Sequence, residues 1–204
     1  MISKAVLFRY ESQTDEDTMD TFLEDLSAEV SWEKTTQAWF GLRYGRGEFG
    51  VIASFDDEPA REAHLAGPAA AKFLAAEHRL MSSPPRLTRI EVLASKMPAQ
   101  LEGVTKGLVL RFKAKPGKEA DVAQLLRNTR EIADKEPGTL AWFANDYGGG
   151  QFGTFAVFAD TGPRFAHLTG QIPRELGLTG LALLGGVPEV SLVDVMAGTA
   201  RQQG

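Results

Sequence analysis

The 204 residues carry a formal net charge of −5, with 43% hydrophobic and 24% charged side chains, the balance of an ordinary folded chain rather than a disordered one. That acidity leaves no basic field for a phosphate backbone, which argues against nucleic acid as a partner. The absence of cysteine removes disulfides, thiolate nucleophiles and cysteine-ligated zinc.

In chain order, residues 4–10 alternate as a strand, entered without the pattern of a signal peptide. Residues 15–30 place Met19, Phe22, Leu23, Leu26 and Val30 at helical spacing, with Thr14 and Asp17 as a capping-box-like start. Residues 37–44 and 51–55 form a hairpin about a glycine-rich turn, 59–80 an alanine-rich second helix, and 87–94 a fourth strand. The same order then begins again. Strand 107–112, helix 118–134 and strands 139–147 and 154–158 lead to a helical region after Pro163 that Pro173, Gly177 and Gly180 are expected to break, and then to strand 190–197. No apolar stretch of 18 residues occurs, so no membrane partner is expected and the reading is of a cytoplasmic protein.

The repetition extends to individual residues. At an offset of 102, Lys4 and Arg9 fall on Lys106 and Arg111; at 103, Trp39-Phe40, Tyr44-Gly45 and Ala63-His64-Leu65 fall on Trp142-Phe143, Tyr147-Gly148 and Ala166-His167-Leu168. Two homologous units follow, 1–97 and 105–198, with a linker at 98–104 and a tail at 199–204. Each reads β-α-β-β-α-β, the ferredoxin-like order: an α+β unit with an antiparallel sheet and two helices on one face. The other sheet face needs a cover. The two sheets are therefore expected to pack face to face as one barrel within the chain, an intrachain pseudo-dimer that leaves room for a further homodimer.

The aligned residues resemble the antibiotic biosynthesis monooxygenase family of the dimeric α+β barrel superfamily, here as a tandem duplication in one chain. Glu136-Pro137-Gly138-Thr139-Leu140-Ala141-Trp142-Phe143 resembles the family's Pro-Gly approach to strand two, and Ala166-His167-Leu168 its segment on helix two; the first copy has Lys34-Thr35-Thr36 in place of Pro-Gly. The resemblance implies a pocket between sheet and helices in each unit, of unequal quality, and oxidation of a quinol or hydroxylated polycyclic aromatic by O2 with no cofactor and no metal. The alternative is a non-catalytic small-molecule binding protein of the same fold. Haem binding, seen in relatives, fits less well: those share a strand-one asparagine and a helix-two tryptophan, whereas this chain has Arg9 or Arg111 and no tryptophan after Trp142.

Residues that could carry such chemistry recur in pairs. His64 and His167 could take a phenol proton at neutral pH, or simply bond a backbone group. Arg9 and Arg111 could stabilise developing negative charge, or form ion pairs between strands. Trp39, Phe40, Trp142 and Phe143 alternate across strand two, so one of each pair faces the helices and could stack on a planar substrate, or be core. Tyr44 and Tyr147 could donate to a quinone oxygen. Arg61 and Arg164 lie one turn before the histidines and are expected beside them. Asn145, with Asp146, occurs only in the second copy, opposite Leu42 and Arg43. Two Gly-x-Gly-x-x-Gly runs, 45–50 and 148–153, lead into strands rather than opening helices, so they read as hairpin turns and not dinucleotide sites.

Overall fold

A computed structural model of the chain describes residues 1–98 and 101–201. Its elements are β1 (Lys4–Glu11), α1 (Glu16–Val30), β2 (Thr36–Gly45), β3 (Glu48–Phe55), α2 (Glu58–Leu65), α3 (Pro68–Ala75), α4 (Glu77–Leu80) and β4 (Arg86–Lys96). They are followed by β5 (Lys106–Lys113), α5 (Glu119–Asn128), α6 (Arg130–Asp134), β6 (Ala141–Gly148), β7 (Gln151–Phe158), α7 (Thr161–Leu168), α8 (Gln171–Leu183) and β8 (Glu189–Ala200). The fold is α+β, and hydrogen bonds join the eight strands in the closed antiparallel order β1-β3-β2-β8-β5-β7-β6-β4. No helix among the described residues is long and apolar enough to cross a membrane.

The compact units are Met1–Arg89 with Val193–Gly204, and Ile90–Leu192. The division falls inside β4 and β8, because each of these strands leaves its own repeat to pair in the other unit. In the first unit the C-terminal half of β8 pairs with β2, Ala38 facing Ala200 and Trp39 facing Thr199; in the second, β4 pairs with β6, Ser95 facing Phe143. Thr199 and Ala200, lacking bulky apolar side chains, read as the start of a tail, yet they are strand. Of the expected linker, Ala99 and Gln100 lie outside the described residues, as do Gln202, Gln203 and Gly204 of the tail.

In the first unit Val6, Phe8 and Tyr10 of β1 face the helices and pack with Met19, Phe22, Leu23 and Leu26 of α1 and Phe73 of α3. Helix α1 starts one residue later than the sequence suggests: Asp15, not Thr14, is the cap, its carboxylate accepting the Thr18 N–H at 2.8 Å. The alanine-rich region is three helices, not one. Pro68 forces Gly67 into an extended conformation (ψ 174°), which ends α2 and starts α3. The second copy, expected to be the broken one, breaks at the equivalent Gly170 but then runs unbroken through α8. There Pro173 stands in the first turn, where its missing N–H has no intrahelical partner to lose. The glycine-rich runs are the two hairpin turns, with positive φ at Gly47 in one and at Gly148, Gly149 and Gly150 in the other.

Candidate functional site

Each unit holds the same three-residue cluster at the break in its second helix. In the first, Glu33 Oε2 accepts from His64 Nδ1 at 2.6 Å and from the Thr36 hydroxyl at 2.6 Å. In the second, Glu136 Oε2 accepts from His167 Nδ1 at 2.5 Å and from the Thr139 hydroxyl at 2.9 Å, with Thr139 Oγ1 also 3.0 Å from Nδ1. Phe55 and Phe158 pack against the two imidazoles, with centroids 5.1 and 5.3 Å away. Glycine is needed at the break. A Cβ on Gly170 would stand 2.9 Å from the Ala166 carbonyl and 3.3 Å from Glu136 Oε1, and one on Gly67 would lie 3.1 Å from the Ala63 carbonyl and 3.5 Å from Glu33 Oε1. The carboxylate thus sits at the uncapped N-terminus of the following helix, where the helix dipole favours negative charge.

Burial is the largest influence on Glu136 and raises its pKa, but the hydrogen bond and charge of His167, the Thr139 hydroxyl and the charge of Lys96 together hold the carboxyl below its ordinary range. An anionic Glu136 favours the tautomer in which Nδ1 of His167 donates to it, and the contact leaves Nε2 outside the pair. Lys96 is itself tied down, donating to the carbonyls of Ala133 and Glu136 at 2.8 and 2.7 Å, and desolvation lowers its pKa.

What surrounds the two histidines differs. His167 borders a cavity of about 570 Å³ between sheet and helices, lined by Leu108, Leu110, Ile172, Pro173, Leu184 and Val190 among others, with Thr154, among the described residues, the other side chain able to hydrogen-bond. Its rim includes Val187, 97% exposed. His64 borders a remnant of about 20 Å³. The same space in the first unit is filled by rings, Phe73 lying 5.0 Å from Phe8, 5.4 Å from Tyr10 and 6.4 Å from Phe22. In the sequence, the repeat register aligns Leu110 with Phe8 and Leu176 with Phe73. A cavity of a few hundred Å³ with apolar walls and few polar groups is the usual form of a small-molecule site.

No protein-family model matches this sequence, and no curated protein does. Among solved structures, the chain superposes on a candidate monooxygenase from Fusobacterium nucleatum with a TM-score of 0.85, at 16% identity over 98% of this chain and 95% of that one. It also superposes on an anthrone oxidase-like protein (0.62, 12%, 98% and 94%) and on a ferredoxin-fold protein from Listeria monocytogenes related to antibiotic biosynthesis monooxygenases (0.54, 9%, 96% and 95%). The fold is that of the antibiotic biosynthesis monooxygenase-like proteins.

Within this monooxygenase-type fold, of the residues singled out in the sequence only His167 reaches the large cavity; His64 and Trp39 line the remnant. Arg9 and Arg111 do not line either space, because in β1 and β5 the side chains facing the helices are their neighbours, Phe8 and Tyr10, and Leu110 and Phe112. Arg9 instead pairs with Glu48 and stacks on Tyr44 at 4.0 Å, and Arg111 stacks on Tyr147 at 4.4 Å. Those stacks hold both tyrosines away from the cavity. Trp142 faces the helices but is fully buried core. Phe143, stacked on Phe155 at 6.0 Å, and Phe40 have the opposite parity to the tryptophans and are likewise buried. Asn145 is fully buried outside the cavity lining, and neither end of its amide has a partner. Arg61, buried on α2 with His64, bonds Glu58 and the Ala5 carbonyl, tying α2 to β1. Arg164, half-buried on α7, is absent from the cavity wall. Sequence reading missed Glu33, Thr36, Glu136 and Thr139, although the 103-residue offset superposes both pairs. Among the described residues no group of three or more His, Asp or Glu is placed to hold a metal ion.

Proposed function

We propose that the chain is an oxygen-using monooxygenase acting on a quinol or hydroxylated polycyclic aromatic, without a bound cofactor, at a single site in the second unit. The observation that carries this reading is the cavity of about 570 Å³ whose apolar wall is interrupted by His167, anchored through Nδ1 by Glu136. A planar aromatic of two or three rings occupies the apolar part, and its hydroxyl meets Nε2. The imidazole takes the phenol proton, the neighbouring carboxylate stabilises the charge that the ring acquires, and the resulting phenolate is electron-rich enough to react with O2. Likeness to a candidate monooxygenase and to an anthrone oxidase-like protein supports the reaction class.

The test is oxygen uptake by the purified protein over a panel of quinols and hydroxylated naphthalenes and anthracenes, with a chelator present. His167→Ala should lower turnover about 10²- to 10⁴-fold, the usual contribution of a general base, whereas His64→Ala should leave it unchanged. A second reading, ligand binding without chemistry, rests on the presence of the same Glu-Thr-His cluster in the first unit, where it serves packing alone. Tight binding of an aromatic that is recovered unaltered, with no oxygen uptake, would favour it.

A further inference from the structure

His167 stands between two spaces. On one side is the apolar cavity; on the other is an outer cleft of about 430 Å³ lined by Ile132, Lys135, Glu136, Pro137, Pro163 and Gln171, with Thr139, Gly170 and His167 itself completing the wall. Nδ1 points to Glu136, whose side chain is 21% exposed and borders this cleft. In the first unit the cleft beside Glu33 runs past Lys34 to Arg201 and does not reach His64, and the inner space is reduced to about 20 Å³. Among the described residues, then, it is the second unit that has a histidine with an apolar cavity on one side and an acid opening to water on the other.

We propose that Glu136 is the proton exit of the cavity: a proton taken from a bound phenol at His167 Nε2 is passed on from Nδ1, through the Glu136 carboxylate, to water in the outer cleft. The inference rests on the phenol-binding reading of the cavity. In the transfer the phenol O–H bond breaks and an Nε2–H bond forms; the Nδ1–H proton moves to Oε2, and the carboxyl group releases it to solvent. The imidazole is then neutral as the Nε2–H form, and the carboxylate is an anion again. Thr139 supports both ends, because its hydroxyl lies within hydrogen-bond distance of Oε2 and of Nδ1 and can donate to whichever lacks a proton. Lys96 from β4, which donates to the Glu136 carbonyl, favours the anionic acid, and Lys135 lines the outer cleft beside it. Direct escape from Nε2 through an apolar cavity occupied by substrate finds, among the described residues of its wall, no polar side chain beyond Thr154 to carry it.

Duplication supplies the control. Glu33→Gln breaks the same cluster in the unit without a cavity and reports what loss of packing alone does. The probe is 4-nitrophenol, whose phenol and phenolate differ in colour, mixed rapidly with the full chain while a pH indicator follows proton release. Glu136→Gln should slow release at least about tenfold, acetate diffusing into the outer cleft should restore part of the rate, and Glu33→Gln should change nothing. In the unaltered protein the rate should fall with curvature across H2O–D2O mixtures, as two protons move. Equal rates in wild type and Glu136→Gln, equal slowing by Glu33→Gln, or a linear isotope dependence would overturn the relay while leaving the cavity as a phenol site. Failure of the wild type to bind the probe would remove the phenol site and the relay together.

Discussion

Replacing Phe8 and Phe73 by leucine, the residue the repeat register places at both positions in the second unit, should open a second ligand site in the first. Both rings are buried, 7% and 4% exposed. Phe73 touches three aromatic neighbours, and such pairs contribute about 0.5–1.5 kcal/mol each beyond area burial. Since one pair is shared between the two positions, the double substitution should cost about 2–4 kcal/mol once the residual void is included. At about 2–4 °C per kcal/mol for a chain of this size, the melting temperature should fall by roughly 5–15 °C, short of unfolding a protein of ordinary stability. Calorimetric titration with 2-naphthol should then give one site per chain in the wild type and two in Phe8→Leu/Phe73→Leu, and saturating ligand should recover part of the lost melting temperature. The converse change, Leu110→Phe in the cavity wall, should abolish the wild-type site. Two sites per chain in the wild type, or one site in a double variant whose melting temperature has fallen as expected, would show that ring packing in the first unit is not what separates the two pockets.

Gly177 lies mid-helix in α8 on the cavity wall, and a Cβ there would meet nothing within 4 Å. Gly177→Leu should therefore block 2-naphthol binding while raising helix stability by about 0.5–1 kcal/mol, checked by titration and thermal melting. Arg111→Ala should cost about 0.5–1 kcal/mol through the lost cation–π contact and leave binding and turnover unaltered, in contrast to a residue in contact with substrate. Gly153→Ala should be strongly destabilising, by more than about 3 kcal/mol, because its Cβ would overlap the Leu110 carbonyl in the adjacent strand; soluble yield and melting temperature report it. Glu136, with its pKa lowered on folding, contributes stability that is present above the unfolded value near 4.3 and is lost as pH falls through the lower folded value. The melting temperatures of wild type and Glu136→Gln should accordingly differ at neutral pH and converge below about pH 4.

The fold was legible because it is written twice. A strand-helix pattern that recurs at a fixed offset is read with two independent samples of noise, so the element order holds even where the boundaries shift. Helix breaks were harder: Pro173 looked like a breaker and residues 59–80, which include Pro68, like one helix, yet what decides is the position relative to the first turn, which composition does not give. The strand exchange of β4 and β8 left no mark, since a strand's residues fit any partner whose faces match. The site was read less well for a related reason. Alternation fixes which residues share a face but not which face the helices cover. Arg9, Arg111, Tyr44 and Tyr147 therefore recurred as faithfully as the histidines while lying outside the cavity. Recurrence identified what both units need, and a cavity present in only one of them does not recur.

That asymmetry separates fold from function in this chain. The Glu-Thr-His cluster, the glycine at the helix break and the arginine-tyrosine stack occur in both units, one with a cavity and one without, so their first role is to hold the second helix and the sheet in place. The cavity depends on something more, found among the described residues in the second unit: leucine in place of phenylalanine at position 110, threonine in place of valine at 154, and an uninterrupted α8 whose Gly177 carries no side chain into the space. None of these changes adds a reactive group. They remove bulk beside a histidine already fixed by its carboxylate, so the candidate site arises by exposing a structural cluster to a cavity, and the first unit preserves that cluster with the cavity closed.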